Sequence, residues 1–216
     1  MKRFYIAERF SFDLGDKTED NQIANDGLTS VSAINSKYNY FPKTKEELKA
    51  LVDRLIEERG DEADLNDIYT GYVTDMSGLF ANRKHFNGDV SGWDVSNVRS
   101  MYCMFSQCYD FNQDISRWDV SNVENMSSMF RFCKKFNQPI GAWDVSNVND
   151  MGQMFFDCMH FIQDLSGWDM SRVRNTTKMF CCCWGLLRRD CEEFQQTLQA
   201  WGIKKGTAEY FNLFIQ

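Results

Sequence analysis

The chain has 216 residues, 43% of them hydrophobic and 15% aromatic, so it can bury a substantial core and is unlike a disordered or fibrous protein. Its net charge of −7 and pI near 4.9 disfavour nucleic acid and anionic membrane surfaces as partners, because both reward clustered Lys and Arg. Met1 to Phe10 lacks the apolar core of a leader and no later stretch is long enough to span a bilayer, so a soluble chain, cytoplasmic as the sequence stands, is expected.

Taken in order, residues 1–14 alternate aromatic and polar residues (Phe4, Ile6, Phe10, Phe12, Leu14), which predicts a short strand or hairpin. Asp16 to Asn39 is rich in Asn, Asp, Ser and Thr and reads as a loop, so residues 1–41 form a partly ordered N-terminal segment. Pro42 introduces a helix: Thr44 and Glu47 have capping-box spacing, Leu48, Leu51, Val52, Leu55 and Ile56 recur at helical intervals, and Gly60 stops it. Residues 42–64 are thus the expected N-terminal capping helix.

From about Met76 to Phe180 the chain repeats every 25 residues. Trp93, Trp118, Trp143 and Trp168 mark the period, and Phe80, Phe105, Phe130, Phe155 and Phe180 keep the same step, as do Cys108, Cys133, Cys158 and Cys183. Leu65, Ile68, Thr70 and Val73 fall one period before Val90, Trp93, Val95 and Val98, a degenerate first half-repeat. A fixed period of this length predicts a solenoid over residues 65–187. Within a unit, Ile115-x-x-Trp118-x-Val120 matches the strand pattern of leucine-rich repeats. Ser121 or Asn122 then caps a short helix whose buried stripe is Val123, Met126, Met129, Phe130 and Cys133. The expected fold is therefore an α/β solenoid, a leucine-rich-repeat-like right-handed coil of short parallel strands and short helices with helical caps at both ends. Trp93, Trp118, Trp143, Trp168, Phe105, Phe130 and Phe155 are its expected core. The C-terminal cap falls in residues 188–216, with an amphipathic helix over Asp190 to Ala200 and a tail whose Tyr210, Phe211, Leu213 and Phe214 pack back or meet another molecule.

Candidate sites are few. Of the eight cysteines, four share one repeat column and have no partners to pair with, which favours a reducing compartment. Cys181, Cys182 and Cys183 with Cys191 lack Cys-x-x-Cys spacing, so no metal is expected there. His85 and His160 occupy one repeat position three coils apart, and no Gly-rich phosphate loop appears, so no catalytic residue, cofactor or enzymatic activity is expected. Asp94, Asp119, Asp144 and Asp169, and Asp89, Asp114 and Asp164, either bond locally to backbone N–H groups beside Ser96, Ser121, Ser146 and Ser171 or bind calcium between coils.

Comparing units with one another isolates the columns that vary: Arg99, Glu124, Asn149, Arg174; Ser106, Arg131, Phe156, Cys181; Tyr109, Lys134, Met159, Trp184. Solvent exposure alone produces such variation. The alternative is an apolar patch of Tyr109, Phe132, Phe156, Met159 and Trp184 that meets a protein partner or a second copy.

The units Phe111-Asn-Gln-Asp-Ile-Ser-Arg-Trp-Asp-Val-Ser-Asn-Val123 and Asn125-Met-Ser-Ser-Met-Phe130 resemble the repeat of the BspA-like leucine-rich-repeat surface proteins, in the 25-residue form common on mycoplasma lipoproteins. Pro42-Lys-Thr-Lys-Glu-Glu-Leu48 is similar to the segment that often precedes those repeats, so the likeness covers about residues 42–187. The resemblance implies a leucine-rich-repeat-like solenoid, a role in adhesion or protein binding, and no enzymatic chemistry. The expectation is a protein-interaction module of bacterial origin, exported without a recognisable leader or acting inside the cell. Self-assembly and a cation-stabilised solenoid are the alternatives.

Overall fold

Each 25-residue unit uses its short polar side chains to bend the backbone. In one coil Asp114, Asp119 and Asn125 each accept the N–H of the residue two further on, Ser116 at 2.9 Å, Ser121 at 3.1 Å and Ser127 at 2.8 Å. Such Asx-turns leave only short extended pieces between them. From Met126 the chain runs through consecutive tight turns, with Met129 N–H donating to Met126 O, Arg131 to Ser128 and Cys133 to Phe130 at 2.8–3.1 Å. Ser128 (φ 56°) and Phe132 (φ 64°) are left-handed, a conformation through which an α-helix of L-residues does not pass. The same two columns are left-handed in every coil: Gly78, Cys103, Ser128, Gln153 and Lys178, then Asn82, Gln107, Phe132, Asp157 and Cys182.

The alternation turns every second N–H toward the next coil. Met126, Ser128, Phe130 and Phe132 donate to the carbonyls of Asp150, Gly152, Met154 and Phe156 at 2.7–3.0 Å. These bonds stack the coils.

The structure, a computed structural model, describes residues 37–186 and 192–214. The chain divides into two units, Met1–Lys37 and Tyr38–Gln216, and the coils, their core and the helices at either end all belong to the second. The strand or hairpin expected in residues 1–14, the loop expected from Asp16 as far as residue 36, and Cys191 lie outside the described residues.

The expected α/β solenoid of parallel strands and short helices is not formed. The described residues contain three short helices, α1 (Lys45–Arg59), α2 (Glu192–Ala200) and α3 (Ala208–Phe214), all outside the repeats, and no strand. Among the described residues, backbone pairing of strand type is limited to isolated parallel bridges, most of them in a column running Asp75, Ser100, Asn125, Asp150 and Asn175, with Asp64–Asp89 and Tyr40–Ile68 outside it. The leucine-rich-repeat reading fails because Asp114 and Asp119 bend the would-be strand at both ends, and Trp118 N–H turns back to Ile115 O at 3.2 Å. The would-be helix fails at its left-handed residues. Its apolar stripe is the inner side of a row of turns.

That inner side is continuous. Phe80, Phe105, Phe130, Phe155 and Phe180 stack with ring centroids 5.2–5.8 Å apart, and Phe86, Phe111, Phe136 and Phe161 at 6.1 Å. The four repeat tryptophans are buried beside them. At the N-terminal end α1 begins where Thr44 Oγ1 accepts Glu47 N–H at 3.2 Å and ends at Gly60 (φ 88°). It buries Leu48, Val52, Leu55 and Ile56 in the same core, and its Lys45 and Asp53 pair with Asp75 and Arg83 of the first coil. At the other end Phe194 and Phe214 pack on Phe180. Lys178 and Phe180 donate to Asn212 O at 2.7 Å and Leu213 O at 2.9 Å. Those carbonyls lie in the last turn of α3, where a helix leaves acceptors unpaired.

Candidate interaction surface

Most side chains that repeat faithfully are occupied between coils. The indole N–H groups of Trp93, Trp118, Trp143 and Trp168 donate to the carbonyls of Leu65, Val90, Ile115 and Ile140 at 2.9–3.2 Å. Cys108, Cys133, Cys158 and Cys183 donate through Sγ to Phe80, Phe105, Phe130 and Phe155 carbonyls at 2.6–3.1 Å. Burial raises the Cys108 pKa to about 12 and those of Cys133 and Cys158 well above the usual thiol value. These thiols are structural donors.

Asn97, Asn122 and Asn147 bind the carbonyls of Gly71, Ser96 and Ser121 at 2.7–2.9 Å. The aspartate columns close their own turns: Asp89, Asp114 and Asp164 hold Ser91, Ser116 and Ser166, and Asp94, Asp119, Asp144 and Asp169 hold Ser96, Ser121, Ser146 and Ser171. The hydroxyl and N–H of Ser116 and of Ser146 hold Asp114 and Asp144 below the usual carboxylate range, and the Ser171 N–H does the same for Asp169. Among the described residues no three His, Cys, Asp or Glu side chains converge as metal ligands. His85 Nδ1 lies 2.9 Å from Asp110 Oδ2, and His160 Nδ1 lies 2.7 Å from Lys134 O, so the two histidines have separate partners.

The variable corner is different. Phe132 and Phe156 meet edge to face at 5.4 Å, and the Arg131 guanidinium lies 4.2 Å and 5.2 Å from their centroids. Tyr109 is flanked by Lys84 at 5.9 Å and Lys134 at 4.9 Å. Met159 and Trp184 occupy the same column on successive coils, 36% and 63% exposed, where Gly185 N–H donates to Met159 O at 3.0 Å. Of the five candidates, the structure thus pairs Phe132 with Phe156 and sets Met159 beside the coil of Trp184. Tyr109 stands apart from Met159, with Lys134 between them in the column.

Ile162 belongs with Met159 and Trp184, and sequence reasoning missed it. It is 40% exposed, and a Cβ placed on Gly185 would lie 2.8 Å from its Cγ2. The signal was present: its column otherwise reads Asn87, Asn112, Asn137, each side-chain oxygen accepting the N–H of the next coil, and Ile162 breaks the series.

A family model described as Mycoplasma protein of unknown function, DUF285, matches residues 50–147 and again residues 116–214. The chain belongs to the DUF285 family. The two DUF285 matches overlap within the repeats, as a sequence that recurs every 25 residues requires. They establish a repeat protein, and do not extend to the BspA-like leucine-rich-repeat family that the motif resembles. Comparison with curated proteins and with solved structures finds no match. No helix among the described residues is long and apolar enough to cross a membrane.

Along the DUF285 repeats a second surface is mostly polar, with Val173 its one apolar residue. Arg99, Asn122, Glu124, Asn147, Arg172 and Arg174 border an open groove of about 720 Å³. Within it Arg99 pairs with Glu124 at 2.9 Å and Arg172 with Asn147 at 2.8 Å.

Proposed function

We propose that this DUF285 protein is a non-enzymatic binding module whose repeats form a rigid stack and whose corner at Met159, Ile162 and Trp184 docks a protein partner. The observation that carries the reading is the contrast between columns. Tryptophan, cysteine, asparagine and aspartate columns are bonded coil to coil or within their own turns, whereas three large apolar side chains stand exposed together on the last coils. An apolar cluster of this kind on a soluble surface marks a contact site. The resemblance of the motif to BspA-like surface proteins supports binding or adhesion over chemistry.

The test is a photo-crosslinking residue placed at Trp184 and, in a second variant, at Asn122, each expressed in the source cells. A discrete crosslinked protein at 184, absent at 122 and lost with Met159→Asp, is the expected result. Identical crosslinks at both positions, or none at 184, overturn the reading. A product made only of two copies of the chain replaces a foreign partner with self-association.

A further inference from the structure

In the last coil two neighbouring thiols stand side by side: Cys181 Sγ and Cys182 Sγ are 3.6 Å apart. Both are partly exposed, unlike the column thiols, each buried against a carbonyl. Neither has a packing duty, since earlier coils carry Ser106-Gln107, Arg131-Phe132 and Phe156-Asp157 at the same two positions. The backbone beneath them is fixed. Cys181 N–H donates to Lys178 O at 3.2 Å, Cys181 O accepts Asp157 N–H at 2.8 Å, and Cys182 O accepts Trp184 N–H at 3.0 Å. Cys182 sits in the left-handed region (φ 62°), as its column does in every coil.

We propose that Cys181 and Cys182 form a two-thiol site for a soft, thiophilic acceptor that takes both sulfurs at once, with trivalent arsenic the centre that fits. Structural zinc takes four ligands, and the described residues bring no third metal-binding side chain to the pair. Thiolate sulfur selects soft acceptors. A pyramidal arsenic(III) centre needs only two protein sulfurs, because it keeps a substituent of its own. With an organoarsenic(III) oxide, two arsenic–sulfur bonds form and the arsenic–oxygen double bond breaks. The oxygen leaves as one water carrying both thiol protons, and arsenic stays trivalent, so no oxidant or reductant is involved. The site adjoins the apolar corner, since Trp184 N–H donates to Cys182 O, but the reaction at its two sulfurs does not require a protein partner there.

The test is titration of the full chain, kept reduced by a phosphine, with phenylarsine oxide, read by native mass spectrometry. One adduct per chain is expected at one equivalent, with two thiols lost from reaction with a disulfide reagent. Cys181→Ser and Cys182→Ser should each abolish it; Ser106 already occupies the Cys181 column in another coil, so serine is compatible with the fold. Cys103→Ser and Cys191→Ser should leave it intact. No adduct, an adduct surviving in either Cys181→Ser or Cys182→Ser, or one that requires Cys191, overturns the proposal.

Discussion

The indole N–H of Trp143 donates to the carbonyl oxygen of Ile115 at 3.2 Å, reaching from its own coil to the one before. The side chain is buried, so the bond satisfies a polar group that would otherwise be orphaned in the core. Trp143→Ala should therefore cost about 3–5 kcal/mol, the range for large aromatic truncations in cores. Urea unfolding followed by circular dichroism checks it, and an unchanged midpoint would mean that the Trp column does not hold the coils together.

Gln107 tests the left-handed column. Its φ is 64° and its N–H donates to Arg131 O at 2.7 Å. A β-branched side chain is least tolerant of this conformation, so Gln107→Val should lose about 1–3 kcal/mol. Gln107→Gly removes the Cβ strain but loosens the unfolded chain, so its net effect should stay within about 1 kcal/mol of the parent. Equal stability of the glycine and valine variants would contradict the backbone geometry.

Stability should fall in acid through the turn aspartates. Asp114, Asp144 and Asp169 have folded-state pKa values below the ordinary one, so the unfolded chain takes up protons first as pH drops. Their contribution is present above the ordinary carboxylate pKa and is lost as pH falls through the depressed values. Asparagine accepts the same Ser N–H, as Asn125 does from Ser127 at 2.8 Å. Asp144→Asn should thus keep the fold at neutral pH and flatten the acid limb of the urea midpoint.

The buried thiols give the opposite limb. Cys108 is held protonated up to about 12, whereas an unfolded thiol ionises near its ordinary value of 9.0. A raised folded pKa contributes stability that is full below the unfolded value and disappears as pH rises toward the folded one. The urea midpoint should decline between these values, less steeply in Cys108→Ala than in the parent. Under native conditions at neutral pH, Cys133 and Cys158 should resist iodoacetamide, with mass spectrometry locating any label.

The period was legible because side chains of one size must recur wherever coils of one shape stack. The local conformation was not. Val123, Met126, Met129, Phe130 and Cys133 fit an α-helix and a row of overlapping four-residue turns equally well, and what decides is the sign of φ at Ser128 and Phe132. Neither residue is glycine; in those columns Gly78, Asn82 and Asp157 are the residues that favour it. The local bonding of the aspartates could be read from each Asp-x-Ser. The pairing of Phe132 with Phe156 could not, because the two residues fall in different columns of the 25-residue period, and the hydrogen bond from Phe132 N–H reaches Phe156 O, one residue short of it. Side chains thus stack at the 25-residue register, whereas the backbone donors of this row reach one residue less.

One row of the bonding between coils runs only forward: Met126 donates to Asp150, and Met101 to Asn125, each acceptor 24 residues later in the chain, while other bonds such as Glu124 N–H to Arg99 O run back. On a ribosome, every newly made coil therefore exposes this row of donors, beside carbonyls such as Glu124 O that await Asn149 N–H, until the next coil has emerged. For this row of donors the open edge lies at the C-terminal side, and duplicating one unit moves that edge along. The carbonyls of Asn212 and Leu213 terminate it, which makes α3 the stop signal that lets a protein of this construction vary in length without changing its ends.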